Sequence, residues 1–178
     1  GTASGDITAW IRTGIIGNGL RFDKSDANNV DLGSSSTLKD TDAFTACLWL
    51  HPQGSVDGAG TVAGNRSSTG TNVGYGFFTN GTDNSSVAFD ADNGTDRVTT
   101  GFSLSRVDQS DPNTGASYAF ACGVYDGTGI TLHINGVLER GPTASAGGIG
   151  TGAGKTSLGK TPWNDHNGNY EGTIGEYQ

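Results

Sequence analysis

The chain has 178 residues, 31 of them glycine, and its 10 Lys and Arg against 18 Asp and Glu give a formal net charge of −8. This length fits one domain. The acidic balance argues against nucleic acid or an anionic membrane as a partner, because the cations are scattered singly from Arg12 to Lys160. No apolar run approaches the roughly 20 residues that a membrane-spanning helix needs, so membrane insertion is not expected.

Short apolar runs, rich in β-branched and aromatic residues and bounded by Gly and Asn, predict many strands and no helix. The run Phe44–Leu50 is apolar on both of its alternating faces, which is typical of a central strand covered on each side. In chain order the predicted strands are Gly19–Phe22, Val30–Leu32, Phe44–Leu50, Val73–Thr79, Ser86–Asp90, Arg97–Thr100, Tyr118–Tyr125, Gly129–Ile134, Val137–Arg140, Thr156–Gly159 and Thr173–Tyr177.

Two Asn-Gly pairs, Asn93-Gly94 and Asn135-Gly136, each lie between two predicted strands. Both residue types tolerate the positive φ of a type I′ turn, so each pair predicts a hairpin. Hairpins without helices indicate an all-β fold, an antiparallel two-sheet β-sandwich or jelly roll. The segments 54–74 and 142–154 are of low complexity, and the second is predicted to be a mobile loop.

Seven short segments follow one another in an informative order: Gly19–Asp23, Val30–Gly33, Ala43–Leu50, Gly123–Gly127, Leu132–Leu138, Ser157–Lys160 and Asn169–Glu176. Together they resemble the laminin-G-like, concanavalin A-type jelly roll. The first three are similar to its opening half, the next two to a strand pair in mid-domain, and the last two to its closing segments. The resemblance implies a single β-sandwich of concanavalin A type.

The two ends of the chain depart from the pattern of this family. Residues 1–18 form an atypical lead-in, and the last strand of family members usually continues beyond the position of Glu176. We therefore predict one domain over residues 1–178, with terminal strands either missing from this piece or supplied by a neighbouring chain. Because unpaired edges invite strand addition, a homo-oligomer or a parent assembly stays open as a partner.

The two cysteines, Cys47 and Cys122, form no CxxC motif and so give no zinc or redox signature. Both lie in strong strand patterns that could be neighbours. A disulfide between them is one interpretation, and two buried free thiols are the other.

The acidic residues do not predict an enzyme. Glycanases with this architecture carry clustered acids on one strand, because hydrolysis needs two carboxylates flanking the scissile bond. This chain has only Glu139, Glu171 and Glu176 as glutamates, and none of them has Asp or Glu two residues away.

A calcium site is one hypothesis for the segment that contains Asp90, Asp92 and Asp96, whose oxygen ligands recur at alternate positions as in calcium loops. The alternative is that these residues are solvated turn residues of the hairpin. Concanavalin A-type folds often hold a structural Ca²⁺ between an early loop and an acid of the closing strand, where this chain has Gly175. No cofactor is certain, and a structural Ca²⁺ stays open.

The loop that ends at Tyr170 combines aromatic rings, amides and a carboxylate at short range. Sugars are bound by stacking on aromatic rings and by hydrogen bonds to their hydroxyls. The alternative is that Trp163 and Tyr170 pack onto the rim of the sandwich, and Trp49 is assigned to core or edge packing. The residues predicted to contact a ligand are Trp163, Asn164, Asp165, His166, Asn167 and Tyr170.

The resemblance implies ligand or glycan binding and adhesion. We therefore predict a non-catalytic binding module outside the cell, on a cell surface or on a virion surface such as a phage fibre, with a glycan or surface receptor as its partner. The alternative is a structural decoration, fibre or filament subunit held by protein–protein contacts. A glycan hydrolase is a third and less favoured function.

Overall fold

The computed structural model describes residues 2–4, 11–13, 18–23, 25, 28–34, 42–52, 60–65, 73–79, 86–93, 97–100, 118–144, 149–150, 155–160, 169–170 and 172–177. All regular structure in these residues is β-strand, and they include no apolar helix long enough to cross a membrane. The strands are β1 (Thr2–Ser4), β2 (Ile11–Thr13), β3 (Asn18–Phe22), β4 (Asn29–Gly33), β5 (Phe44–Pro52), β6 (Gly60–Gly64), β7 (Val73–Thr79), β8 (Val87–Asn93), β9 (Arg97–Thr99), β10 (Ala119–Tyr125), β11 (Gly129–Ile134), β12 (Val137–Ala144), β13 (Thr156–Leu158) and β14 (Gly172–Tyr177).

These strands form two sheets, and every pairing between them is antiparallel. Sheet 1 has the order β1-β4-β13-β6-β7-β8-β9, and sheet 2 has the order β12-β11-β10-β5-β14-β3-β2. The predicted all-β sandwich is thereby confirmed, and a strand is present at each of the eleven predicted places. The strands β1, β2 and β6 were not predicted.

The core lies between the sheets and is rich in aromatic side chains. Phe44 packs on Tyr75 with ring centroids 4.6 Å apart, and Phe77 packs on Phe89 at 5.0 Å. Gly123 of β10 leaves the space that the Phe89 ring fills, because a Cβ atom on this glycine would overlap that ring. The central strands of the two sheets are therefore held in close contact.

The Asn135-Gly136 turn is confirmed. Ile134 pairs with Val137, and the two turn residues have φ angles of 52° and 78°, as a type I′ turn requires. The Asn135 N–H donates to the Phe120 carbonyl at 2.8 Å, and the Asn135 Oδ1 accepts from the Phe120 N–H at 2.9 Å. The turn thus also bonds to β10, the other neighbour of β11.

The antiparallel pairing of β8 and β9 is confirmed, but its predicted turn is wrong. A two-residue turn at Asn93-Gly94 would pair Asp92 with Thr95, whereas Asp92 pairs with Arg97. The reason is that β8 continues along β7 as far as Asn93, which also buries Ala91 in the core.

The low-complexity segments contain regular structure. The strand β6 lies within 54–74, is buried at every position and joins β13 to β7. Likewise β12 extends to Ala144, so the predicted loop 142–154 begins inside a strand at the edge of sheet 2.

Candidate functional site

Sheet 2 has one face in the core and one face outside the sandwich, and β5 shows which side chains lie on which. Leu48 and Leu50 are fully buried in the core. Because side chains alternate along a strand, Cys47, Trp49 and His51 lie on the outer face.

The outer face carries a disulfide between Cys47 and Cys122. These residues are direct partners on the neighbouring strands β5 and β10, and both are half-buried. The structure therefore joins the two cysteines, a pairing that the sequence alone left open.

Beside the disulfide, four rings form what we call the aromatic face, consisting of Trp49, Phe120, His51 and Tyr118. The Trp49 and Phe120 rings are 4.9 Å apart, and the His51 and Tyr118 rings are 5.3 Å apart, with both pairs tilted by 39°. The rings of Trp49, Phe120 and Tyr118 are half-buried, so part of each is open to solvent. The sequence did not identify this surface, because both faces of Phe44–Leu50 are apolar and alternation alone does not show which one is outside.

Two members of the aromatic face carry hydrogen-bonding groups. The Tyr118 hydroxyl is hydrogen-bonded to the Thr173 side chain, and burial raises the pKa of Tyr118. Burial also lowers the pKa of His51, so the imidazole is neutral at pH 7 and has one donor and one acceptor nitrogen.

Next to the aromatic face, the strand β14 has a glycine at an outward position. Gly175 of β14 lies beside Trp49, and a Cβ atom on this glycine would be 3.0 Å from the Trp49 Cβ. Thr173 pairs with both His51 and Arg21, which places Arg21 across β14 from the aromatic face. On the outer face Gly175 and Thr173 thus follow one another along β14, with Trp49 beside Gly175 on β5 and Arg21 beside Thr173 on β3.

This part of the sheet is poor in acidic residues. The strands β3, β5, β10 and β11 contain no Asp or Glu, and β14 contains one, Glu176. Arg21 is half-buried, and no residue that the structure describes forms an ion pair with its guanidinium. Asp23, just beyond β3, accepts hydrogen bonds from the N–H and the hydroxyl of Ser25.

Most of the ligand residues predicted from the sequence lie outside the described residues. Tyr170 is described, and its side chain is 0% exposed, with its ring 6.3 Å from that of Phe22. Its hydroxyl donates to the Thr173 carbonyl at 3.4 Å, and burial raises the pKa of Tyr170 well above its usual value. The predicted ligand contact of Tyr170 is therefore corrected to core packing, which was the alternative. The predicted residues outside the description are Trp163, Asn164, Asp165, His166 and Asn167.

The predicted calcium residues are only partly described. Asp90 and Asp92 lie within β8 rather than in a loop, are buried, and alternate with the core residues Phe89 and Ala91. Asp96 is outside the described residues. In the described part of the chain no three side chains of His, Cys, Asp or Glu form a group that could hold a metal ion. The calcium hypothesis for the three aspartates stays a prediction.

The two-sheet architecture has a counterpart among known families. The Laminin_G_3 family, described as the concanavalin A-like lectin/glucanases superfamily, matches residues 23–178. The chain therefore belongs to this family, and the expected resemblance is confirmed. No curated protein matches the sequence.

Solved structures with a similar fold include domains that were determined with oligosaccharides. Domain 4 of AbnA, a GH43 extracellular arabinanase from Geobacillus stearothermophilus in complex with arabinotriose, is 15% identical with a TM-score of 0.63, over 99% of this chain and 74% of that one. The CBM40 of the Ruminococcus gnavus IT-sialidase, bound to α2,3 sialyllactose, is 16% identical with a TM-score of 0.65. The match covers 85% of this chain and 84% of that one. Domains LG4-5 of the mouse laminin α1 chain are 15% identical with a TM-score of 0.56. The match covers 83% of this chain and 36% of that one. At these identities the likeness concerns the fold.

Proposed function

We propose that this chain is a non-catalytic glycan-binding module that works outside the cell, on a cell surface or on a virion surface. The observation that carries the proposal is the aromatic face, where partly exposed rings lie next to hydrogen-bonding groups on a rigid sheet. Sugar rings stack their C–H faces on aromatic rings, and their hydroxyls need polar partners nearby. Tyr118, whose ring is half-buried, offers its hydroxyl as such a partner near Phe120, whereas His51 and Thr173 are buried.

The fold supports the same proposal. Two structures of similar fold were determined with arabinotriose and with sialyllactose. A fold hosts many functions, so these relatives raise the expectation of glycan binding, while the argument for this chain rests on its own rings. The loop residues Trp163–Asn167 remain a predicted second contact.

Two features support a location outside the cell and a function without catalysis. Disulfides such as Cys47–Cys122 persist mainly in oxidising compartments and outside cells. Glycoside hydrolysis uses two carboxylates flanking the bond, and the four strands β3, β5, β10 and β11 supply none to the surface that we propose for the glycan.

A glycan array probed with the soluble chain tests the proposal. We expect binding to a restricted set of glycans and a loss of about tenfold or more in affinity for Trp49→Ala and Phe120→Ala, because each removes a stacking ring. The matched control is Leu138→Ala, an exposed apolar residue on the edge strand β12 of the same sheet. Binding unchanged by both ring substitutions contradicts the aromatic face as the site, and loss only in Trp163→Ala favours the loop.

A structural subunit is the second candidate function, and the edge strand β12 favours it. Val137 and Leu138 are exposed by 41% and 50% on this strand. A decoration, fibre or filament subunit would cover such residues with a second copy or a parent assembly. Concentration-dependent assembly in sedimentation experiments, lost in Leu138→Lys, together with an array on which no glycan binds, supports this function over the first.

A further inference from the structure

We infer that the ligand of this chain is an ordered, uncharged polysaccharide whose apolar surface lies on the outer face of sheet 2. This inference rests on the proposed function and adds to it the physical class of the ligand. It concerns what we call the apolar strip, which consists of Trp49 and Cys47 of β5, Phe120, Cys122 and Val124 of β10, and Tyr118 directly before β10.

The apolar strip follows one strand and its members are similarly exposed. Along β10, buried side chains of the core alternate with half-buried ones on the outer face, and all six members of the strip are half-buried. From Tyr118 to Val124 the chain advances by six residues, which is about 20 Å in a strand. The strip therefore offers contact to several sugar units in a row.

The strands of the apolar strip are uncharged. The protein has a net charge of −8, but β5, β10 and the adjacent β11 contain no Asp, Glu, Lys or Arg. A charged polysaccharide would lose hydration on these strands without gaining an ion pair. The charge of this face therefore matches a neutral ligand.

Polar groups around the apolar strip are hydrogen-bonded within the protein. The Tyr118 hydroxyl is bonded to the Thr173 side chain, and the Asn135 Oδ1 accepts from a backbone N–H of β10. The Thr131 hydroxyl and the His133 Nε2 are hydrogen-bonded at 3.2 Å. On the described part of this face, few hydrogen-bonding groups are left for the hydroxyls of a sugar.

This scarcity decides between a dissolved and an ordered glycan. A dissolved oligosaccharide would give up water at its hydroxyls and regain few hydrogen bonds, which costs free energy for each group left without a partner. In an ordered polysaccharide the hydroxyls are already bonded to neighbouring chains, and the C–H faces of the sugars form an apolar surface. Such a surface can stack on Trp49 and Phe120 and continue its apolar contact as far as Val124.

Retention on insoluble polysaccharides tests the inference. The ordered probes are microcrystalline cellulose and crystalline chitin, and the matched disordered probes are amorphous forms of the same two polymers and their soluble hexasaccharides. We expect the chain to bind at least one ordered polymer about tenfold or more tightly than its disordered forms. High salt should change this binding little, because no charged group takes part.

Three variants identify the surface. Val124→Lys should weaken binding to the ordered polymer about tenfold or more, because it places a charge in the apolar contact. Val137→Lys makes the same change at an exposed residue of the edge strand β12 and should leave binding intact. Trp49→Ala should also weaken binding, since it removes a stacking ring. Thermal unfolding shows whether each variant keeps the fold, and Val124→Thr replaces the lysine variant if that one does not fold.

The outcomes separate this inference from the proposed function. Glycan binding that depends on Trp49, without preference for an ordered polymer or with a preference unchanged by substitution of Val124, overturns the inference and leaves the function in place. A wild-type chain that binds neither the glycan array nor the two polymers overturns both.

Discussion

Asn135 combines two roles in the hairpin between β11 and β12. Its backbone takes the positive φ of the turn, and its side chain accepts a hydrogen bond from the Phe120 N–H. We expect Asn135→Ala to lower the free energy of unfolding by about 1–3 kcal/mol, because both contributions are lost. Urea unfolding measures the loss. Asn135→Gly can adopt the positive φ without strain, so it should lose less of the free energy of unfolding than Asn135→Ala. An equal loss in both variants would assign the whole effect to the side-chain hydrogen bond.

His51 makes stability depend on pH. Burial lowers the pKa of its imidazole, so between the unfolded value of about 6.5 and the lower folded value the unfolded chain binds more protons than the folded protein. The contribution of His51 to stability is therefore present above about pH 6.5 and is lost as the pH falls through the folded pKa. We expect the melting temperature of the wild type to fall more between pH 7.5 and pH 5 than that of His51→Gln. Parallel curves for the two proteins would contradict the shift.

Trp49 and Tyr170 show how far sequence could predict the site. The sequence assigned Trp49 to core or edge packing and left Tyr170 between ligand contact and packing, and the structure has Trp49 half-buried against Phe120 on the outer face and Tyr170 in the core. Each residue lies among neighbours that suggest the opposite, since Trp49 is within an apolar run and Tyr170 follows a polar one. Tyr170 tolerates burial because its hydroxyl bonds to the Thr173 carbonyl, and its ring lies near that of Phe22, which is far away in the sequence and which no local pattern indicates.

The strands themselves were predictable where alternation or an Asn-Gly turn was present. The strand β6 was missed because all five of its residues are buried, so no alternation of polar and apolar residues marks a solvent face, and glycines stand at both of its ends. The register of β8 with β9 was also beyond local pattern, because the burial of Ala91 outweighs the preference of Asn93-Gly94 for a tight turn.

The hairpin of β11 and β12 has two leucines in contrasting environments. Leu132 of β11 is fully buried in the core, whereas Leu138 of β12 is half exposed. We expect Leu132→Ala to cost about 2–5 kcal/mol in the free energy of unfolding, because it leaves a cavity between the sheets. Leu138→Ala should cost less than about 1 kcal/mol, in line with surface substitutions. Chemical denaturation of both variants checks the contrast, and equal losses would place Leu138 in a contact that its exposure does not show.

The disulfide acts on the whole molecule, since it joins residues that are 75 positions apart in the sequence. Closing a loop of that length removes conformational entropy from the unfolded chain, for which the chain-entropy relation gives about 4 kcal/mol. We expect Cys47→Ala with Cys122→Ala to lose a stability of this order in denaturant unfolding. The wild type should lose a similar amount when a dithiol reductant is added, and the double variant should not respond to it. A wild type that is indifferent to the reductant would contradict the expectation.

The place of β14 between β3 and β5 decides when the proposed binding surface can form. Ile174 pairs with Leu20 on one side and with Leu50 on the other, so each of these contacts spans more than a hundred residues of chain. Pairings of such sequence separation form slowly, because a long loop must close first. On the ribosome, a nascent chain would emerge with β3 and β5 long before the strand that joins them is made. Gly175 and Thr173 arrive on that strand, so a ligand could be recognised at this surface only after the chain has been made and folded as far as β14.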